Sequence, residues 1–295
     1  MAVVKYGVLG AGAIGGLIGT LLSAGGEDVT FIVRHASLPA APDTFTVLRQ
    51  DGSSIGGAVH SVEAITGDDV DVLWIATKAT DFKQALQRVQ ASSPRAVVPL
   101  LNGFEHVKML ESVFAPAVIF PATIAVEAER MNRGVFRQIS AFVRLQLPER
   151  GRDILEHAAR TLEAQGVETQ FQADERTLIW TKLVFLAPFA LTTSASRKAA
   201  GFIREDPEWR AYFDAAAAEV AAVARTQGAT VDSEAAQVML ERIHPDMRSS
   251  MLKDLQAGRE IEIDAIAGSV VRTGERAGVP VPTLRALISR IQAHL

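Results

Sequence analysis

The chain has 295 residues, 48% of them hydrophobic and 22% charged, with a formal net charge of −4. Mean hydropathy is +0.16 and the isoelectric point is about 5.9. That apolar share excludes wholesale disorder, and no Lys/Arg run reaches the density of a nucleic-acid binder. The net charge leaves an anionic small substrate open, because a local cationic pocket does not show in it. Cysteine is absent, which excludes disulfides, thiolate chemistry and Cys-ligated zinc. The length exceeds what one core serves, so two domains are expected.

Val3–Leu9 is a short valine-rich run ending at glycine and reads as a buried strand. Ile14, Leu17, Ile18, Leu21 and Leu22 then recur at helical spacing until Gly25-Gly26. The stretch Tyr6–Gly26 carries no charge and superficially suits a signal peptide or a membrane span. Eight of its 21 residues are glycine, a poor composition for a spanning helix. Leu183–Leu191 is nine residues long and holds Pro188, too short to span. A protein with no membrane partner and a cytoplasmic location is expected.

Asp28–Arg34 reads as a second strand, with Val70–Ala76, Arg95–Leu100 and Ala117–Ala122 as further strands and a helix around Phe82–Val89. Strand–helix–strand repetition argues for a parallel sheet with covered faces. Gly134–Leu147 reads as added antiparallel strands. Beyond Gln172 the pattern turns helical, over Leu178–Leu186, Trp209–Arg225, Glu234–Ile243, Ile261–Arg276 and Leu284–Ala293. The expected division is 1–173, a domain of alternating strands and helices, and 174–295, a helical domain.

Gly10-Ala11-Gly12-Ala13-Ile14-Gly15 is a G-x-G-x-x-G lying between a strand and a helix. Gly10 permits the tight turn, Gly12 admits a pyrophosphate, Gly15 allows close helix–strand packing, and the helix N-terminus faces the phosphates. Glycines serving turns and packing alone are the simpler alternative. Arg34 follows 19 residues after Gly15, where an NAD site places an acid. Arginine suits a 2′-phosphate and favours NADP(H), against an ordinary exposed arginine. Lys78 and Asn102 follow strands at their carboxyl ends, where α/β sheets bind ligands. A solvated lysine and a plain Asn-Gly turn are the alternatives.

Lys182 lies beside Trp180 in an apolar stretch with Leu183, Val184 and Phe185, a place for a snorkelling or a functional lysine. Glu262 falls in an acidic run that also suits a helix N-terminus in its own right. Glu127, Glu129 and Arg130 read as a solvated charged patch. The six histidines show no metal-ligand spacing, and no G-x-S-x-G occurs.

Gly10–Gly15, Arg34, Thr77-Lys78, Asn102-Gly103, Trp180-Thr181-Lys182-Leu183 and Ser249-Ser250-Met251-Leu252…Glu262-Ile263-Asp264 occur in this order. In this the chain resembles the ketopantoate (2-dehydropantoate 2-) reductases over nearly its whole length. The resemblance implies an α/β Rossmann-type N-terminal domain and an all-α C-terminal domain resembling that of 6-phosphogluconate dehydrogenase, with an active cleft between them. It also implies NADPH-dependent reduction of a 2-oxo acid to a 2-hydroxy acid, in pantothenate biosynthesis where the substrate is ketopantoate. Lys182 would then be the catalytic lysine, with Glu262 its acidic partner or a holder of a substrate hydroxyl. Ser250 would hold the substrate carboxylate, and Asn102 and Lys78 would stand where cofactor and substrate meet. The cofactor contacts so implied are Gly10, Gly12, Ala13, Ile14, Gly15, Arg34, Lys78 and Asn102.

The family places asparagines four and eight residues after the lysine to grip the substrate; here those positions are Leu186 and Ala190. A rebuilt grip through Thr192 or Thr193 is one expectation, and an altered substrate is another. Another β-hydroxyacid or opine-type dehydrogenase and a non-catalytic NADP(H) sensor are the rival functions. The expected partners are a small 2-oxo acid and no nucleic acid, with a homodimer as the candidate assembly.

Overall fold

The computed structural model describes residues 4–294, so Val3 of the expected first strand lies outside the described residues. The chain divides into two compact units: 1–101 with 106–173, and 102–105 with 174–295. The short segment Asn102–Glu105 thus leaves the first unit's chain path and joins the second.

The first unit is built on five parallel strands, β1 (Lys5–Leu9), β2 (Asp28–Ile32), β3 (His60–Val62), β4 (Val72–Ile75) and β5 (Ala96–Pro99). Their order is β3-β2-β1-β4-β5, so the chain reverses its direction of travel between β1 and β4. In open α/β sheets ligands bind at the carboxyl ends beside such a switch point. Val8, Leu73, Trp74, Ile75, Val97 and Val98 are fully buried, which is why these strands are continuous apolar runs. Helix α1 (Ala13–Ala24) follows β1, and α2 (Ala79–Leu86) follows β4. α2 stops three residues short of the expected Val89, which is buried in the turn after it.

A four-stranded sheet covers α1, with Thr44–Leu48 and Ser54–Ala58 as a hairpin and Val135–Gln138 parallel to the first of them. A Cβ on Gly16 would run into Phe136, so this glycine sets how closely sheet and helix approach. Phe31, Phe45 and Phe136 pack one on the next with tilted rings, centroids 4.5 and 5.5 Å apart. A third sheet joins Thr123–Ala125, Arg144–Pro148 and Glu168–Gln172.

Two strand expectations need correction. Ala117–Ala122 forms a 3-10 turn over Pro116–Val118 and a single bridge from Ile119 to Val97. Pro121 in that run has no N–H to give to a ladder. Gly134–Leu147 splits into two strands that each pair antiparallel on one side and parallel on the other.

The second unit is helical: Glu175–Ser196, Ala200–Glu205, Pro207–Thr226, Ser233–Arg242, Ser250–Gln256, Ser269–Ala277 and Pro282–Gln292. Glu175–Ser196 begins at Asp174, whose carboxylate accepts from the backbone N–H of Arg176 and Thr177. It runs through Pro188 for 22 residues, well beyond the expected Leu178–Leu186. Its length and mean hydropathy of 1.4 would suffice to cross a membrane, but 67% of that window is buried inside the protein. It is the helix around which the unit's core forms, with Leu183, Ala187, Ala190 and Leu191 packed among Phe213, Val220, Leu284 and Leu287. The expected helix Ile261–Arg276 begins at Ile263 and opens with a π-helical turn over Asp264–Gly268.

Candidate active site

In the first unit the glycine turn closes the carboxyl end of β1. Gly10 has φ +100°, a conformation that L side chains avoid, and a Cβ there would also press on Thr77 Cγ2 at 3.0 Å. A Cβ on Gly15 would run into the Gly10 carbonyl, so this glycine lets the helix approach the strand. At Gly12, by contrast, the nearest atom to a Cβ is the Ala76 carbonyl at 3.9 Å. A Cβ at Gly12 would meet no clash within the protein, and its absence leaves the N-terminus of α1 open. That terminus has no side-chain cap and no acid in its first turn. Its N–H groups and positive dipole end suit a pyrophosphate, and Ala13 and Ile14 are its first two residues. The buried Thr77 hydroxyl beside the turn has no hydrogen-bond partner within the protein.

Arg34 is exposed two residues beyond β2, where it caps the 3-10 turn His35–Ala40 with an extended backbone. His35 is taken by Glu63, with Nδ1 and Oε2 2.8 Å apart. Lys78 is half-buried at the N-cap of α2, at the carboxyl end of β4. Arg130 is exposed, as expected of a solvated patch, and its Nη1 also reaches the Ala11 carbonyl at 3.4 Å, bringing a positive charge to the glycine turn. Its neighbour Glu129 pairs with Arg137 at 3.2 Å. The hairpin that carries Arg130 is folded over α1 by Phe136, a placement that spacing along the chain does not reveal.

In the second unit two of the expected residues, Lys182 and Asn102, are gathered around the carboxylate of a third, Glu262. Lys182 is half-buried on the long helix. Burial pulls its ammonium down from 10.5 to about 8, and the nearby Glu262 charge opposes that shift. Glu262 is 8% exposed, just before the π-helical turn. Asn102 donates from Nδ2 to Glu262 Oε2 at 3.0 Å. The turn reading of Asn102-Gly103 is met, since Gly103 adopts φ +79°, while the Asn102 amide is turned to Glu262. A Cβ on Gly103 would run into the Ala265 carbonyl within the π-helical turn. Beside it, Phe104 lies against Trp180, with centroids 5.1 Å apart. An ammonium near neutrality beside a fixed carboxylate can deliver a proton and stabilise a developing alkoxide.

Ser250 is exposed in the first turn of Ser250–Gln256, and its neighbour Ser249 does the capping, accepting from Leu252 N–H at 3.1 Å. Leu186 is half-buried at the edge of the core, whereas Ala190 is closed off within it. Thr192 and Thr193 do not rebuild the missing grip. Both are fully buried, and their hydroxyls bond back to the Pro188 and Phe189 carbonyls at 2.7 and 2.6 Å. Thr193 also meets Ser249 Oγ at 2.8 Å. A cation that sequence reading passed over is Arg272, which grips Glu105 and Asp264 together.

A Rossmann-type sheet with an open glycine turn, followed by a helical unit bearing a lysine–carboxylate pair, defines a two-unit oxidoreductase architecture. The family models agree. "Ketopantoate reductase PanE/ApbA" matches residues 6–150, and its C-terminal counterpart matches 174–294. A 2-dehydropantoate 2-reductase of Mycobacterium tuberculosis is 30% identical over 294 residues, covering 97% of this chain and 96% of the relative. A crystal structure of 2-dehydropantoate 2-reductase from Geobacter metallireducens superposes with TM-score 0.89 at 24% identity, covering 99% and 100% of the two chains. The ternary structure of a D-mandelate dehydrogenase with NADH and anilino(oxo)acetate superposes with TM-score 0.86 at 22% identity, covering 98% and 97%. The chain belongs to the ketopantoate reductase family.

The depressed Lys182 ammonium has a consequence for stability. Between about 8 and 10.5 the unfolded chain holds a proton on this lysine that the folded protein has released. Stability contributed by this site therefore rises with pH across that window and is lowest below it. Lys182→Met is expected to raise Tm at pH 7, with the gain shrinking as pH approaches 10.5. A Tm at pH 7 that is unchanged or lower would show that the lysine is not held at a cost.

Proposed function

We propose that the protein is an NADPH-dependent reductase of a 2-oxo acid, with 2-dehydropantoate the leading candidate substrate. The observation that carries this reading is Lys182, brought down to about 8 by burial beside the Asn102-held carboxylate of Glu262. A nicotinamide cofactor, when bound, would supply the hydride for the keto carbon. Lys182 Nζ then gives its proton to the keto oxygen as negative charge grows there. Glu262 keeps that ammonium from losing its proton too early, and Asn102 keeps Glu262 in place. The Ser250 hydroxyl, which no capping bond occupies, is assigned to the substrate carboxylate. Gly10, Gly12, Gly15 and the first turn of α1 are assigned to the pyrophosphate, and Lys78 to the cofactor. The setting that goes with this reading is cytoplasmic, with a homodimer as the assembly expected from the family resemblance.

Arg34 supports the phosphorylated cofactor, because an exposed guanidinium at the end of β2 can take a 2′-phosphate in a charge-assisted fork. NADPH is expected to bind at least about tenfold more tightly than NADH, the scale of one charged hydrogen bond. Arg34→Ala is expected to erase most of that difference in a fluorescence titration. Equal affinities in the unmutated protein would remove Arg34 from the site and open the cofactor choice to NADH.

Leu186 favours a second reading of the substrate, one with an apolar tail. Where the family grips with asparagine, a half-buried leucine offers apolar surface instead, and neither Thr192 nor Thr193 has a hydroxyl to spare. Branched and aromatic 2-oxo acids without a hydroxyl, including the 2-oxo acid of mandelate, are expected to match 2-dehydropantoate in kcat/KM. Leu186→Asn is expected to shift the ratio toward 2-dehydropantoate by about tenfold, one hydrogen bond's worth. A strong preference of the unmutated enzyme for 2-dehydropantoate over its deoxy analogue would overturn the apolar-tail reading. NADPH binding with no oxidation by any member of the panel would favour a sensor.

A further inference from the structure

Arg272 has an unusual pair of partners. Its Nε and Nη2 reach Glu105 Oε1 and Oε2 at 3.2 and 2.6 Å, while Nη1 and Nη2 reach Asp264 Oδ1 and Oδ2 at 2.6 and 3.2 Å. One guanidinium thus holds two carboxylates in two forks. Glu105 ends the short segment Asn102–Glu105, and Asp264 begins the π-helical turn that follows Glu262.

Two glycines are required for this arrangement. Gly268 lies one turn from both Asp264 and Arg272 on the same helix, and a Cβ there would run into Asp264 Oδ1 and come within 3.2 Å of Arg272 Nη1. Its backbone, at φ −58° and ψ −40°, is ordinary helix that alanine adopts readily. What the missing Cβ leaves room for is the ion pair passing over it. Gly103, at the other end of the clamp, has no Cβ to keep the segment off the Ala265 carbonyl. π-turns recur at functional sites because they re-aim side chains within a helix.

We infer that Arg272 is a positioning residue: by clamping Glu105 to Asp264 it seats the Asn102–Glu105 segment on the π-helical turn and so holds Asn102 on Glu262. It touches neither substrate nor cofactor in this account. Arg272 and Glu105 are half-buried, with side-chain accessibilities of 38% each, and Asp264 is exposed at 78%. Pairs with this much solvent access contribute modestly to global stability, so variants that lose them are expected to stay folded, with Tm the check. The clamp's value is geometric. A lysine in place of Arg272 keeps the charge but cannot fork onto two carboxylates at once. The inference rests on the reductase reading for its catalytic consequence, but not for the clamp itself.

The sequence offers a clean probe, because it contains two asparagines, Asn102 and Asn132. Asn132 is exposed, so with selective nitrogen-15 labelling of asparagine its side-chain NH2 pair marks the solvent-exposed position in the spectrum. In the unmutated protein the Asn102 pair, identified by its loss in Asn102→Ala, is expected well displaced from that position. Arg272→Lys and, independently, Gly268→Ala are expected to move it toward the Asn132 position. With NADPH and the best 2-oxo acid, both variants are expected to lose kcat by about 10- to 100-fold, the scale of a small misplacement of a catalytic group. NADPH affinity should stay within about twofold. Combined with Asn102→Ala, Arg272→Lys should cost little more, since both act through one bond. An Asn102 signal unmoved in both variants would overturn the clamp whether or not the protein reduces a 2-oxo acid. A moved signal with a fully additive kinetic cycle would overturn its link to Asn102. Loss of all turnover in the unmutated protein, with the signal moving as expected, would count against the reductase reading and leave the clamp standing.

Discussion

The structure of the helical unit turns on one electrostatic compromise: an ammonium kept in a largely desolvated place by a single carboxylate. Desolvation drives the Lys182 proton off and the Glu262 charge draws it back, and the balance sits at about 8. Either influence alone would leave the group useless near neutrality. A lysine in open water keeps its proton until pH is roughly 10.4, while one buried without a partner is neutral and has no proton to give. The carboxylate must itself be held, because a mobile Glu262 would let the balance drift. Asn102 does this from the short segment Asn102–Glu105.

That dependence explains features that packing alone leaves unaccounted for. The Asn102–Glu105 segment is fixed on the second unit by a glycine contact, an aromatic contact and a forked arginine. The helix that ends in Ser269–Ala277 opens with a π-helical turn, just after Glu262 and at the point where the Ala265 carbonyl meets the segment. In the first unit the glycine turn shows the same economy. Gly10 and Gly15 are required by geometry, whereas Gly12 is required only if something must come close to the helix end.

Much of this was legible in the sequence, for identifiable reasons. Short-range patterns carried the Rossmann unit: apolar runs for strands buried on both faces, a glycine motif in its context, and a change to helical periodicity past Gln172. Lys182 stood out because a lysine among Trp180, Leu183 and Val184 violates the local pattern. What was not legible depends on distance. Asn102 and Glu262 are 160 positions apart, and Glu105 and Arg272 are 167 apart. Arg272 alone on a helix surface looks like any solvated arginine, and so does Arg130 on its hairpin. The hairpin Thr44–Leu48 with Ser54–Ala58 was missed although Asp51-Gly52 marks its turn, with Gly52 at φ +85°. Ala117–Ala122 was over-read because β-branched residues suggested a strand that Pro121 denies. The threonines after Lys182 looked available as substrate ligands because sequence cannot show that a buried hydroxyl has already bonded to its own helix.

The central claim is that Lys182 is the proton donor, and the pH dependence of kcat tests it most directly. Reduction needs the ammonium, so kcat for NADPH-driven reduction is expected to be level at lower pH and to fall as pH rises through about 8. The reverse oxidation of the 2-hydroxy acid needs the neutral amine and should rise through the same value. Lys182→Ala should remove both limbs and lower kcat by a factor on the order of 10²–10⁴. A reduction rate that stays level to pH 10, or a Lys182→Ala variant with near-normal turnover, would contradict the account.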